Sequence, residues 1–246
     1  MTAAFTIARN EPFFLPLWVA YYGGQVGLEN LFVLDHETDD GSTDGLPCER
    51  VPVDNAGVCF DHEWLCATAA AFQADLLERG FGPVVYCDVD EFLCHPLGLR
   101  GFLQGVRAGA CRATGYNLIH GPGEADYDAA QPLLAQRGWW KHHSLYDKTL
   151  VAREPLQWEV GFHSLQGRSF AVRADGLTLV HLHSFDRTQA RQRHAARAGW
   201  PWHEGERRLG HSKQWQLEGA ALEGWLEEQT VGAEPVAGWL KEQVPF

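Results

Sequence analysis

The sequence predicts an α/β fold with a mostly parallel central sheet and flanking helices, on three observations. Short apolar runs alternate with helical segments through the first hundred residues, the rhythm of strands joined by crossover helices. Each early strand empties into a polar cluster: Asn10-Glu11, Asp35 to Asp44, and Asp88 to Glu91. Sheets of this kind bind ligands outside the carboxyl ends of their strands. Finally, 246 residues at 45% apolar suit one compact domain with a modest appendage, and can bury a core that rules out wholesale disorder.

The elements follow in order. Ala4 to Ala8 is an apolar strand ending at Arg9-Asn10-Glu11. Pro12 stands where a helix can begin, FFLPLWVAYY follows, and Gly23-Gly24 are expected to stop it. Leu31 to Leu34 is a second buried strand, feeding the turn-rich loop DHETDDGSTDG, and Arg50 to Val53 is a third. Asp61 to Arg79 reads as a long helix closed by Gly80 and Gly82-Pro83. Val84 to Tyr86 is the fourth strand, running into CDVDEFL. A short helix at Leu99 to Val106 leads to a strand at Ala110 to Ile119 and an acidic loop, HGPGEADYD. Trp139 to Val180 alternates strands and turns, and Arg187 to Ala198 is a basic helix. The chain thus divides into residues 1–97, residues 98–200 and a helical tail at 201–246. In the tail, GWLEEQ and GWLKEQ lie fourteen residues apart and predict two short helices packing a Trp-Leu face on the body.

Composition excludes several classes. A net charge of −12 is wrong for gripping nucleic acid, which needs a cationic surface. A phosphate-bearing ligand would need a divalent cation to offset that charge. No apolar run reaches the roughly 18 residues of a membrane span, and peripheral association with a membrane stays open. The opening MTAAFTIARNEPFF lacks a charged leader and an apolar signal core, and none of the six cysteines forms a CxxC pair. Together these predict reduced core thiols and a cytoplasmic setting.

Asp88-Val89-Asp90, directly after a buried strand, is the sharpest chemical feature. A turn there can bring both carboxylates to one ion, and hard oxygen ligands suit Mg²⁺ or Mn²⁺, which bridge phosphate oxygens. The bland alternative is an acidic turn capping a strand. His181 and His183 share one face of a late strand.

ARNEPFFLPLWVAYYGGQVGLENLFVLDHETDDGSTDG resembles the opening of family-2-like glycosyltransferases, and VVYCDVDEFL is similar to their D-x-D-E-F metal motif. DKTLVAR, centred on Lys148, resembles the family's K-x-x-V-R segment. HLHSFDRTQARQRH resembles its late H-x-x-x-[KR]-[ST] segment. The four motifs fall in the family's order across residues 5 to 198. The resemblance implies a GT-A type fold, with a Rossmann-like nucleotide-binding half fused to an acceptor half. It implies a nucleotide-sugar donor, UDP-linked by preference, a glycan or other hydroxyl acceptor, and Mn²⁺ or Mg²⁺ as cofactor. Asn10 and Glu11 would lie near base and ribose, joined by Asp40 or Asp35; the longer DHETDDGSTD loop leaves that choice open. Asp90 and His183 would hold the metal, with Asp88 on the ribose or reaching the ion through water, and His181 an alternative to His183. Lys148 would face the pyrophosphate.

Sugar transfer needs charge neutralisation at the departing diphosphate and, for inversion, a base on the acceptor hydroxyl. Arg187, Arg191 and Lys213 are further candidate cations; Glu91, Asp126 and Glu159 are candidate bases. Trp139-Trp140, Trp158, Trp200 and Trp202 offer sugar-stacking faces or simply fill the core. Two rival readings share the DxD. One is a non-catalytic binder of nucleotide or glycan on the same fold. The other is a haloacid-dehalogenase-like phosphohydrolase, disfavoured because Glu91-Phe92 follow the motif and two strand–helix units precede it.

Overall fold

The computed structural model describes residues 1–167, 171–209 and 212–243. The chain is an α/β protein with one ten-stranded sheet flanked by helices. Its first half runs β1 (Ala3–Ala8), α1 (Phe14–Val26), β2 (Leu31–His36), β3 (Glu49–Val53), α2 (His62–Glu78) and β4 (Val84–Tyr86). These strands lie side by side as β3-β2-β1-β4, all parallel. β1, β2 and β4 are buried almost throughout, because helices cover both faces of a parallel sheet. β3 closes this edge and is largely open to solvent, which is why Pro52, lacking an amide proton, is tolerated there.

Two helix ends carry local explanations. Asp61 caps α2, its carboxylate accepting from the Trp64 amide at 3.0 Å. The expected stop of α1 at Gly23-Gly24 does not occur; the helix continues to Val26 and ends at Gly27, whose φ is 91°. Burial of Trp18, Val19 and Tyr22 outweighs the propensity cost of two glycines, about 1 kcal/mol each. Gly23 serves close approach instead: a Cβ there would sit 2.6 Å from Leu28 Cδ2.

The second half is β5 (Glu91–Cys94), α3 (Leu99–Gly105), β6 (Ala110–Ile119), β7 (Trp139–His142), β8 (Thr149–Ala152), β9 (Val172–Ser184) and α4 (Arg187–Arg197). β8 joins β4 to β6, antiparallel to both. The long β6 takes β7 and β8 along one edge and β9, in parallel, along the other. β5 then pairs antiparallel with β9, setting Glu91 opposite His181. That register brings the acidic turn to the late histidines. It is braced from α1, where the Tyr21 hydroxyl donates to the Leu93 carbonyl at 2.6 Å and the Tyr22 hydroxyl to the Glu91 carbonyl at 3.1 Å.

After α4 come α5 (Glu204–Leu209), α6 (Gly219–Thr230), β10 (Glu234–Pro235) and α7 (Leu240–Gln243). Leu222 and Leu226 of α6 pack on Ala190 of α4. β10 extends the sheet beyond β7, and Leu240 is buried in the main core. Both GWL segments therefore dock on the body. All six cysteines are free, five of them buried.

Between β7 and β8 the chain passes over Gly115 of β6. The His143 amide donates to the Gly115 carbonyl at 3.1 Å, and the Gly115 amide to Asp147 Oδ1 at 2.9 Å. A Cβ on Gly115 would meet the Tyr146 carbonyl oxygen at 2.1 Å, and backbone cannot move aside as a flexible side chain can. Gly115→Ala is expected to cost about 3 kcal/mol, read as a lowered urea midpoint. A loss below about 0.5 kcal/mol would mean the crossing segment is not fixed by β6.

Candidate functional site

The strand order reverses between β1 and β4: the chain moves from β1 outward to β2 and β3, then returns to β4 on the other side. At the carboxyl ends of these two strands, where such a reversal leaves a crevice, lies a cavity of 480 Å³. Glu11 enters it from the end of β1, and Asp88, Asp90 and Glu91 from the turn after β4. Lys148 comes from the start of β8, His181 and His183 from β9, and Arg193 and Arg197 from α4.

The carboxylates are sorted by their partners. Asp88 Oδ1 accepts from the Tyr86 hydroxyl at 2.7 Å and Oδ2 from Lys148 Nζ at 3.1 Å. The same ammonium donates to Glu91 Oε1 at 2.6 Å. Burial would discharge Lys148, but the Asp88 and Glu91 charges more than offset it and raise its pKa, so it stays an ammonium. Burial likewise works against ionised Asp88, and the Lys148 charge overcomes it and lowers the pKa. Asp90 accepts from Arg193 NH1 and lies 3.3 Å from His181 Nε2. Burial disfavours its charge too, yet Arg193 and His181 hold it well below the ordinary carboxylate range.

Asp90, His181 and His183 each offer a donor atom, and these lie within 4.8 Å of one another. All three residues are buried. Asp90 is ionised, and burial followed by the His181 charge pushes His183 well below 6.5, so it stands ready as a neutral imidazole. His181 Nδ1 is buried with no hydrogen-bond partner. His183 stacks on Trp215, with centroids 4.4 Å apart, and its Nε2 lies 3.1 Å from His194 Nε2. This is the kind of outer contact that orients a ligating ring. One carboxylate and two imidazoles fit a divalent transition ion such as Mn²⁺ better than Mg²⁺, which takes oxygen ligands. Both histidines belong to this group. Asp88 does not, its two oxygens being engaged by Tyr86 and Lys148.

His120, Asp126 and Asp186 form a second set of nearby donors, but His120 and Asp186 are already committed and Asp126 is exposed. Asp186 caps α4 through the Gln189 amide and accepts from the Tyr127 amide and the buried Arg137. Both ring nitrogens of His120 are engaged, by the Arg187 amide and the Glu124 carbonyl. This cluster braces the start of α4.

Other residues singled out in the sequence fall outside the cavity wall. Asn10 exchanges hydrogen bonds with Asp39, Asp40 accepts from the Ser42 amide, and Asp35 is held by Thr38, Thr43 and Arg50. They shape the β1 and β2 loop ends. Asp126 and Glu159 are exposed and do not line the cavity. Lys213 is exposed as well, while Arg187 and Arg191 turn outward to Glu227 and Glu223 of α6. Arg193 and Arg197, four residues apart on another face of the same helix, turn inward; the helical phase was the available signal for them. Trp140 and Trp158 are core, whereas Trp200, Trp215 and Trp225 line the cavity.

His163 also lines the cavity. Burial, and then the Lys148 charge, lower its pKa from 6.5 to about 4. Between those values the unfolded chain binds a proton that the folded chain refuses. Its contribution to stability is therefore full above pH 6.5 and lost as the pH falls toward 4. His163→Asn should flatten the dependence of the urea midpoint on pH across that window; an unchanged slope would contradict this.

No protein-family model matches the chain, and no curated protein does. Among solved structures it is similar to the crystal structure of mannose-1-phosphate geranyltransferase from Thermus thermophilus, at 9% identity and a TM-score of 0.34. The match covers 61% of this chain and about half, 49%, of that one. Likeness of this degree carries no argument about function, which rests on the site. Among the described residues, no helix is long and apolar enough to cross a membrane.

Proposed function

We propose that the chain is a metal-dependent glycosyltransferase of GT-A type, resembling the family-2-like enzymes. It would move a sugar from a nucleotide-sugar donor, UDP-linked, to an acceptor hydroxyl on a glycan or other molecule. The observation that carries this reading is the convergence of ionised Asp90 with His181 and His183 at the switch point of the parallel strands. These three residues would hold Mn²⁺, which supplies the positive charge that stabilises a departing nucleoside diphosphate. Trp215 and His194 fix the His183 ring. Lys148 holds Asp88 and Glu91 in place and is itself neutralised by them. Of the three carboxylates considered as base, Glu91 lines the cavity, and burial pushes its carboxyl up, toward the range in which a carboxylate accepts a proton near neutrality. Asp88, with both oxygens engaged, is poorly set for the nucleophilic attack a phosphohydrolase would need.

The test is a panel of nucleotide sugars incubated with the protein and Mn²⁺, with released nucleoside diphosphate detected by mass spectrometry. Release from one donor, lost on chelation, is the expected result. Metal-dependent nucleotide binding without release from any donor would instead make the chain a binding module.

A further inference from the structure

We infer that Arg193 and Arg197 form a diphosphate-binding pair whose guanidiniums engage carboxylates at the metal site, so that divalent cation and diphosphate bind as a coupled pair. The inference rests on the metal site proposed above and adds to it an anion subsite and a coupling between the two ligands.

The geometry begins on α4. Residues 193 and 197 are one helical turn apart and project to one side. Arg193 donates through Nε and NH2 to Glu11 Oε1, at 3.2 and 2.8 Å, and through NH1 to Asp90 Oδ2. Arg197 NH2 donates to the same oxygen of Glu11. Two guanidiniums thus share one carboxylate oxygen, and one of them also spans to the carboxylate expected to ligate the ion. Aromatic faces hold both heads in place. Arg193 Cζ lies 4.6 Å from the Phe14 ring centroid and 5.2 Å from that of Trp215, and Arg197 Cζ lies 4.0 Å from Trp215 and 5.2 Å from Trp200. Stacking fixes the plane of a guanidinium while leaving its N–H edge free to exchange partners, and the forked edge matches a phosphate.

Charge then dictates the coupling. Setting aside Arg9, which pairs with Glu37, the wall as formed by the described residues carries the cations Lys148, Arg193 and Arg197 against the carboxylates Glu11, Asp88, Asp90 and Glu91. A diphosphate entering alone finds no net positive charge. A divalent ion entering alone competes with Arg193 for Asp90, stranding part of a largely buried guanidinium, and burying an unmatched charge is costly. When both enter, the ion takes Asp90 and the freed edge of Arg193 turns to a phosphate. Each ligand removes the other's penalty, and by linkage the two affinities rise by the same factor.

The experiment measures free Mn²⁺ by electron paramagnetic resonance during titration of the full chain, with and without inorganic pyrophosphate, for wild type and Arg193→Gln. The glutamine variant should bind Mn²⁺ alone about 10-fold more tightly, because Asp90 is no longer occupied. Pyrophosphate should tighten Mn²⁺ binding about 10-fold in wild type and much less in the variant; chelation in solution is common to both and cancels. Arg193→Lys keeps a cation for Glu11 but lacks the fork that spans to Asp90, so it should move in the same direction and serves if the glutamine variant does not fold. Variants that bind Mn²⁺ alone no more tightly than wild type, or that keep the full pyrophosphate effect, would overturn the inference while leaving the metal site standing. Folded wild type and variants that all fail to bind Mn²⁺ would remove the metal site, and this inference with it.

Discussion

Asp90→Asn is expected to abolish Mn²⁺ binding by the isolated chain and, with it, donor cleavage. Asp90 is the one carboxylate among the three grouped donors, it is 4% exposed, and its neighbours keep it ionised. An amide of the same shape keeps an acceptor for Arg193 but removes the charge that offsets stripping a divalent ion of water. Changes to the outer contacts of a metal ligand already cost 10–100-fold in affinity, so losing the anionic ligand should cost at least about 100-fold. His181→Asn and His183→Asn should fall in the same direction. Asp126→Asn and Glu159→Gln, whose side chains do not line the cavity, should titrate as wild type. The check is Mn²⁺ titration of all five variants, with circular dichroism to confirm folding. Wild-type affinity in Asp90→Asn would remove the metal site, and equal losses in all five would mean that the signal reports general instability.

The contrast between these residues shows what the sequence carried. β4 is legible to the residue because a strand buried on both faces is a continuous apolar run bounded by polar or turn residues, and β6 falls on its expected bounds with fully and partly buried residues alternating through its middle. The DxDE turn and the HLH segment are each visible in the sequence as well. Their meeting is not visible, since the antiparallel β5–β9 register joins segments about ninety residues apart and no local pattern encodes it. Asn10, Asp35 and Asp40 sit at strand ends as expected, but the loop closes on itself through Asn10–Asp39 and Asp35–Arg50 contacts, and pairing within a loop cannot be read from residue type. The inward arginines were missed for a different reason. The basic helix holds its arginines on two faces, and only the body it packs against determines which face turns to the cavity. The run of α1 through Gly23-Gly24 has the same origin: tertiary burial overrode local propensity.

Lys148→Met should be the most destabilising change at the site. The ammonium is 5% exposed and is shared by Asp88 and Glu91. Deleting one partner of a buried ion pair costs about 3–5 kcal/mol, because the remaining charge has lost both water and counter-ion. For a chain of this length that corresponds to an unfolding midpoint lower by roughly 10 °C. The two stranded carboxylates will not suffer equally. Asp88 keeps the Tyr86 hydroxyl and some solvent contact, whereas Glu91 is 1% exposed and can escape only by taking up a proton. Burial already pushes the Glu91 carboxyl up, and removing Lys148 pushes it further. A carboxyl whose folded pKa lies above its unfolded value binds more protons in the folded state, so the deficit should be smallest in acid and grow as the pH rises through the folded pKa. Glu91→Gln in the Lys148→Met background should recover most of the loss and remove its pH dependence, giving a coupling of at least about 2 kcal/mol in the double-mutant cycle. Urea denaturation of wild type, both single variants and the double variant across pH decides it. A deficit near zero, or a full deficit that neither varies with pH nor yields to Glu91→Gln, would mean that Lys148 is held by something other than these two carboxylates.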